Sequence, residues 1–282
     1  MPKVLANGIQ IHYQQEGEGP DVVLIHGISG DLSNWYLNVM PALAKEFRVT
    51  VYDLRGHGDS DVTPSGYTSA HMATDLDRLL DSLGIERAHL VGGSFGATVA
   101  LHCAVLYPGR AASLVLAEPW FSALRSSAIF ENWRHLEAAK AALGERGLTI
   151  PEDKWDDLEY ISRAALRIPI RSGLRRGTER NSRRMQRLLD STSALKEALE
   201  VADLTMERIA EIRQPTLAVY GETSPFLQIA WQLQEKIQSC RIVVLKDVGH
   251  MFPLLKPELF VASFIEFLRQ LAGSGTSNGV AT

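Results

Sequence analysis

Short apolar runs recur along most of the chain, each followed by a longer stretch with helical periodicity. Asp21-Val22-Val23-Leu24-Ile25 is unalternated and rich in β-branched residues. Such a run suits a strand covered on both faces, as in a parallel sheet. The same pattern predicts strands at Arg48–Tyr52, Ala88–Val91, Ser113–Ala117, Thr216–Tyr220 and Arg241–Leu245. Helices are predicted near Leu32–Lys45, Ser69–Leu83, Phe95–Tyr107, Phe226–Gln238 and Pro257–Leu271. Two opening strands, Lys3–Ala6 and Ile9–Gln15, flank Asn7-Gly8, a strong hairpin turn pair. Alternation of this kind predicts an α/β fold, with a mostly parallel eight-stranded sheet flanked by helices.

The alternation breaks once. Between Trp120 and Arg213 helical patterns dominate, interrupted by Gly144, Gly147, Pro151, Pro169, Gly173 and Gly177. This predicts a helical cap at 120–212, inserted between the sixth and seventh strands of a core made of 1–119 and 213–272. Its ends leave adjacent strands, so it is expected over the carboxyl edge of the sheet, where open α/β sheets bind ligands. Residues 273–282 are Gly/Ser-rich and lack core residues, so a disordered tail is expected there.

Composition narrows the class. At 282 residues with 45% hydrophobic and 22% charged positions, the chain is an ordinary globular one. Its net charge of −4 argues against a nucleic-acid partner. That total conceals a polarity. From Arg163 to Arg187 there are nine arginines and one acid, Glu179: a local charge of +8 that leaves −12 for the remainder. The run has two readings, a solvated cap surface or a steering field for an anionic substrate or acidic partner. The two cysteines, Cys103 and Cys240, lie far apart and in no metal-ligand spacing. Neither a secretory leader nor a membrane-spanning run is legible, so a cytoplasmic protein is expected.

The sharpest chemical signal is Val91-Gly92-Gly93-Ser94-Phe95-Gly96, a Gly-x-Ser-x-Gly pattern between a predicted strand and a predicted helix. A serine on such a sharp turn needs neighbours without side chains, and the helix start places backbone N–H groups beside it. The Phe95 N–H is the natural first oxyanion donor. The same glycines would serve a strand-to-helix turn without chemistry, so a base must be found. His250, in Asp247-Val248-Gly249-His250, follows the last predicted strand and is placed to swing over Ser94. His57 is its rival, but lies in a turn and is read as structural.

These segments resemble the α/β-hydrolase superfamily. His26-Gly27-Ile28, Asp53-Leu54-Arg55-Gly56-His57-Gly58-Asp59-Ser60, Gly92-Gly93-Ser94-Phe95-Gly96 and Gly249-His250 match its motifs in order. The resemblance covers roughly 1–120 and 213–272; the helical middle matches only in position. It implies Ile28 as the second oxyanion N–H and a scaffold role for residues 53–60. It also implies an acid. Relatives usually carry an aspartate where this chain has Ser224 in Gly221-Glu222-Thr223-Ser224-Pro225. Some lactonases and haloalkane dehalogenases place theirs after strand six, where this chain has Glu118. Glu118 is therefore the first candidate for the acid and Glu222 the second, with Asp247 read as a turn residue.

The expected activity is hydrolysis of a small-molecule ester or lactone by a Ser94–His250–Glu118 triad, without metal or cofactor. Trp35, Trp120 and Phe121 are expected in the pocket wall with Ile28 and Phe95. The alternatives are a carbon–carbon bond hydrolase, a lyase or a cofactor-free dioxygenase with His250 as base, or a non-catalytic binding protein. The oligomeric state is not legible.

Overall fold

The computed structural model describes residues 2–119, 141, 144, 147–155, 157–167, 175–224 and 226–275. Eight strands form one sheet: β1 (Lys3–Ala6), β2 (Ile9–Glu16), β3 (Asp21–Ile25), β4 (Arg48–Tyr52), β5 (Ala88–Gly93), β6 (Ala111–Ala117), β7 (Thr216–Gly221) and β8 (Cys240–Leu245). Their spatial order is β1-β2-β4-β3-β5-β6-β7-β8. β1 and β2 pair antiparallel, β2 joins β4 antiparallel, and all later pairings are parallel.

The β-branched runs behave as two-faced strands. Val23 and Ile25 belong to one hydrophobic core, Val22 and Leu24 to the other. Leu114 and Leu116 alternate with Val115 and Ala117 in the same way. The first core is closed by α3 (Ser69–Ser82) and α4 (Phe95–Leu106). The second is closed by α1 (Ser33–Tyr36), α2 (Met40–Leu43) and the last helix, whose Phe260 and Phe264 are wholly buried. The predicted single helix at Leu32–Lys45 is thus two short ones. Pro41 stands in the first turn of α2, where its missing N–H is tolerated.

The described residues between β6 and β7 contain a 3₁₀ turn (Glu152–Lys154), α5 (Leu158–Arg167), α6 (Arg175–Ser191), α7 (Ala194–Ala198) and α8 (Met206–Ile209). After β7 come α9 (Leu227–Lys236), α10 (Phe252–Leu255) and α11 (Pro257–Gly275). α11 takes in the first three residues of the stretch read as a tail, and 276–282 lie outside the described residues. α6 rests on the sheet's carboxyl edge: Leu188 approaches Gly56, and Asn181, Arg184 and Met185 face Ser29, Gly30 and His57. Arg184 pairs with Asp59 at 2.6 Å. Among the described residues, no helix is long and apolar enough to cross a membrane.

Candidate active site

The register of the sheet brings the candidate residues to one edge. Gly93 at the end of β5 is opposite Ala117 at the end of β6, and Ala117 is opposite Val219 of β7. The backbone ladder continues one residue further. The Ser94 N–H donates to the Ala117 carbonyl at 2.8 Å, and the Glu118 N–H to the Val219 carbonyl at 2.9 Å.

Ser94 is forced into a rare conformation, φ 52° and ψ −119°, at the N-terminus of α4. A non-glycine residue held there stores roughly 1–3 kcal/mol of strain. The flanking glycines explain how the turn closes. A Cβ on Gly92 would sit 2.3 Å from the Gly96 carbonyl oxygen, and one on Gly96 would sit 2.3 Å from that of Ile25. Among the described residues, neither the Phe95 nor the Ile28 N–H donates a backbone hydrogen bond. The Ile28 loop is close: a Cβ on Gly27 would lie 3.3 Å from Ser94 Cβ.

Glu118 is 1% exposed and has φ 55°, a second strained non-glycine position at the same edge. Its Oε1 accepts the Gly221 N–H at 2.6 Å. Its Oε2 accepts the Ser224 hydroxyl and faces His250 Nδ1 at 3.1 Å. Burial and the Glu118 charge push the Tyr220 phenol well above its ordinary value. It stays neutral and donates to the Pro119 carbonyl at 3.3 Å.

With Nδ1 turned to Glu118, Nε2 is the ring nitrogen of His250 that Glu118 does not engage. Among the described residues no hydrogen bond joins Ser94 to His250; such contacts often tighten only when substrate binds. The Phe226 ring meets the imidazole edge-on, with centroids 4.8 Å apart. The Thr223 N–H donates to the Val248 carbonyl at 3.1 Å, tying the loop after β7 to the His250 loop.

The other candidates are placed as follows. Glu222 is exposed, and its Oε2 accepts the Asp247 N–H at 3.2 Å. Asp247 occupies a left-handed turn position, φ 55°. Trp35 is 2% exposed and packs in the core, its ring 5.7 Å from Phe260 and close to Gly93. Trp120 and Phe121 lie outside the described residues.

His57 is buried between two carbonyls, Arg55 O at 2.8 Å from Nδ1 and Ile28 O at 2.7 Å from Nε2. Burial pushes its pKa down to about 4, so at neutral pH it carries one proton and donates to one of them. His26 is neutral by the same cause. Its Nδ1–H donates to the Gly27 carbonyl at 2.8 Å while Nε2 accepts the Leu54 N–H at 3.0 Å. Asp53 fastens the turn beneath, accepting the N–H groups of Leu32 at 2.7 Å and Asp59 at 2.8 Å. Among the described residues, no group of His, Cys, Asp and Glu is arranged to hold a metal.

Sequence reasoning missed two partners of Glu118. The Gly221 N–H has no side-chain signature. Ser224 stood in view as the absence of an acid, and its hydroxyl as a donor went unread.

A sequence profile described as the alpha/beta hydrolase fold matches residues 20–257. The chain is 31% identical over 264 residues to a Cupriavidus necator protein, the dihydrolipoyllysine-residue acetyltransferase component of the acetoin cleaving system. That match covers 91% of this chain, which spans only 66% of that relative's length. It is 30% identical over 277 residues to a 2-hydroxy-6-oxo-6-phenylhexa-2,4-dienoate hydrolase of Comamonas testosteroni, covering 92% of this chain and 91% of that one. Among solved structures, an N-acyl homoserine lactone degrading enzyme shares the fold with a TM-score of 0.70 at 23% identity, over 94% of this chain and 100% of that chain.

Proposed function

Because the chain belongs to the α/β-hydrolase fold family, we propose that it is a serine hydrolase that cleaves a carboxylic ester or lactone through an acyl-enzyme on Ser94. The observation that carries this reading is the 3.1 Å contact of His250 Nδ1 with a buried Glu118 whose carboxylate is held on both oxygens. A carboxylate fixed there sets the imidazole tautomer and stabilises the imidazolium that forms when Nε2 takes the Ser94 proton.

Ser94 Oγ then bonds to the acyl carbon, and the carbonyl oxygen becomes an oxyanion facing the Phe95 and Ile28 N–H groups. Each such donor contributes on the order of 3 kcal/mol to the barrier reduction. His250 returns its proton to the departing alkoxide as the C–O bond breaks. Water, deprotonated by the same nitrogen, attacks the acyl-enzyme and releases the acid and Ser94. These steps use only groups of this chain and water.

A carbon–carbon bond hydrolase is the second reading. Its specific support is the Comamonas testosteroni relative, named for a dienoate that contains no ester. On that reading His250 still acts as base, and the same three residues carry the site.

Labelling by a fluorophosphonate, followed by a screen of acyl esters, lactones and thioesters, tests the proposal. Ser94 is expected to be the modified residue, and Ser94→Ala to abolish both labelling and turnover. A folded wild-type protein that stays unlabelled at Ser94 ends the acyl-enzyme reading.

A further inference from the structure

Ser224 stands where the resemblance leads one to expect the triad acid, and its surroundings give it another task. Its hydroxyl donates to Glu118 Oε2, the same oxygen that faces His250 Nδ1. Its Oγ in turn accepts the Phe226 N–H at 3.1 Å, so the hydroxyl proton is aimed at the carboxylate. The Ser224 N–H closes a tight turn onto the Gly221 carbonyl at 3.1 Å, and the Gly221 N–H holds the other carboxylate oxygen at 2.6 Å. Ser224 is 7% exposed, so water does not readily replace its hydroxyl.

A carboxylate on a flexible glutamate side chain can rotate away from an imidazole. One donor on each oxygen removes that freedom and leaves a lone pair of Oε2 directed at Nδ1. The Phe226 ring, two residues on, limits the imidazole from its edge. Gly221 and Ser224 therefore touch the acid and Phe226 the base, although none of them supplies either.

We propose that Ser224 is a positioning residue, which orients the Glu118 carboxylate toward His250 through its hydroxyl. The inference rests on the triad reading above. It also accounts for the absence of aspartate at 224. With Glu118 in place, a carboxylate there would lie against another carboxylate, and the pair could not both ionise at ordinary cost.

The test is the second-order rate of Ser94 labelling by a fluorophosphonate, which needs no knowledge of the substrate. Ser224→Ala and the near-isosteric Ser224→Cys are each expected to slow labelling by about tenfold to a hundredfold, the range for losing a hydrogen bond to a charged group. Ser224→Thr keeps the hydroxyl and is expected to label within about threefold of wild type, a rescue that a purely packing role would not give. Comparing Ala with Cys guards against a folding defect in either one. Wild-type rates in both Ala and Cys variants, with Glu118→Gln strongly slowed, would overturn this inference and leave the triad intact. A wild-type protein that does not label at Ser94, or a Glu118→Gln variant that labels normally, would instead overturn the triad reading itself.

Discussion

Leu24, Val51, Leu90 and Val115 in the sheet are wholly buried, each between helices that cover both faces. The described part of the helical insertion packs differently. α6 buries a narrow stripe, Met185, Leu188 and Leu189, while Arg180, Arg183, Gln186, Arg187 and Asp190 are exposed. Its ties to the body are of two kinds: Met185, Leu188, Leu189, Ala194 and Leu195 join the first hydrophobic core, and polar contacts are added at the surface, Arg184 to Asp59 at 2.6 Å and Glu197 of α7 accepting the Gly66 N–H at 2.8 Å and the Tyr67 N–H at 2.5 Å. Apolar burial is not weakened by charge screening and holds a geometry from all sides. Polar ties on a surface are screened and individually weak. The candidate catalytic groups sit at the edge of the first kind of structure and beneath the second.

The most severe break lies in the body. Glu118→Gln should lower kcat by about 10⁴-fold while the fold persists, because the amide keeps the shape and loses the charge opposite the imidazolium. Glu222→Gln, whose parent side chain only accepts a backbone N–H, should leave kcat near wild type. The reverse pair of results would move the acid to the loop after β7.

Acid should attack the body before the insertion. His57 and His102 are both buried, and burial pushes each to about 4. Between pH 6.5 and 4 the unfolded chain takes up protons that these rings refuse, so stability falls through that window and levels off below it. The loss is of order 3 kcal/mol for each ring. Urea unfolding at pH 7 and pH 4.5 should show it, and His102→Leu should flatten the slope. An unchanged slope would mean that the ring is accommodated charged.

The mildest break is the tie itself. Arg184→Ala should cost about 0.5–1 kcal/mol in dilute buffer and less at high salt, with no change in the rate of Ser94 labelling. A large loss would show that the insertion leans on the body more than its contacts imply.

Much of the body was legible because its physics is local. The runs that became β3, β6 and β7 carry four apolar residues in succession, which suits a strand covered on both faces, and the observed ends differ by at most two residues. Ser94 was legible because its conformation leaves a mark on its neighbours, Gly92 and Gly96. Glu118 is singled out in the sequence only by resemblance; its φ of 55° has no glycine to announce it. Trp35 shows a limit of spacing. An aromatic near the oxyanion loop reads equally as pocket or core, and its contact with Phe260, more than two hundred residues away, cannot be inferred from spacing. The partnership of Ser224 with Glu118 is equally remote in sequence, and a hydroxyl carries no pattern that marks it as a donor to a particular carboxylate.

The unbroken ladder from Ser94 to Ala117 and from Glu118 to Val219 makes the sheet a ruler. Neighbouring strands are about 4.8 Å apart, and that interval does not depend on side chains. An acid housed at strand ends is therefore confined to discrete berths, one per strand. Between β6 and β7 the choice amounts to a single step of the lattice, and a histidine on a loop can follow it by a turn of its ring. In this chain the berth after β6 holds the Glu118 carboxylate, and the one after β7 holds Gly221 and Ser224, which donate to it.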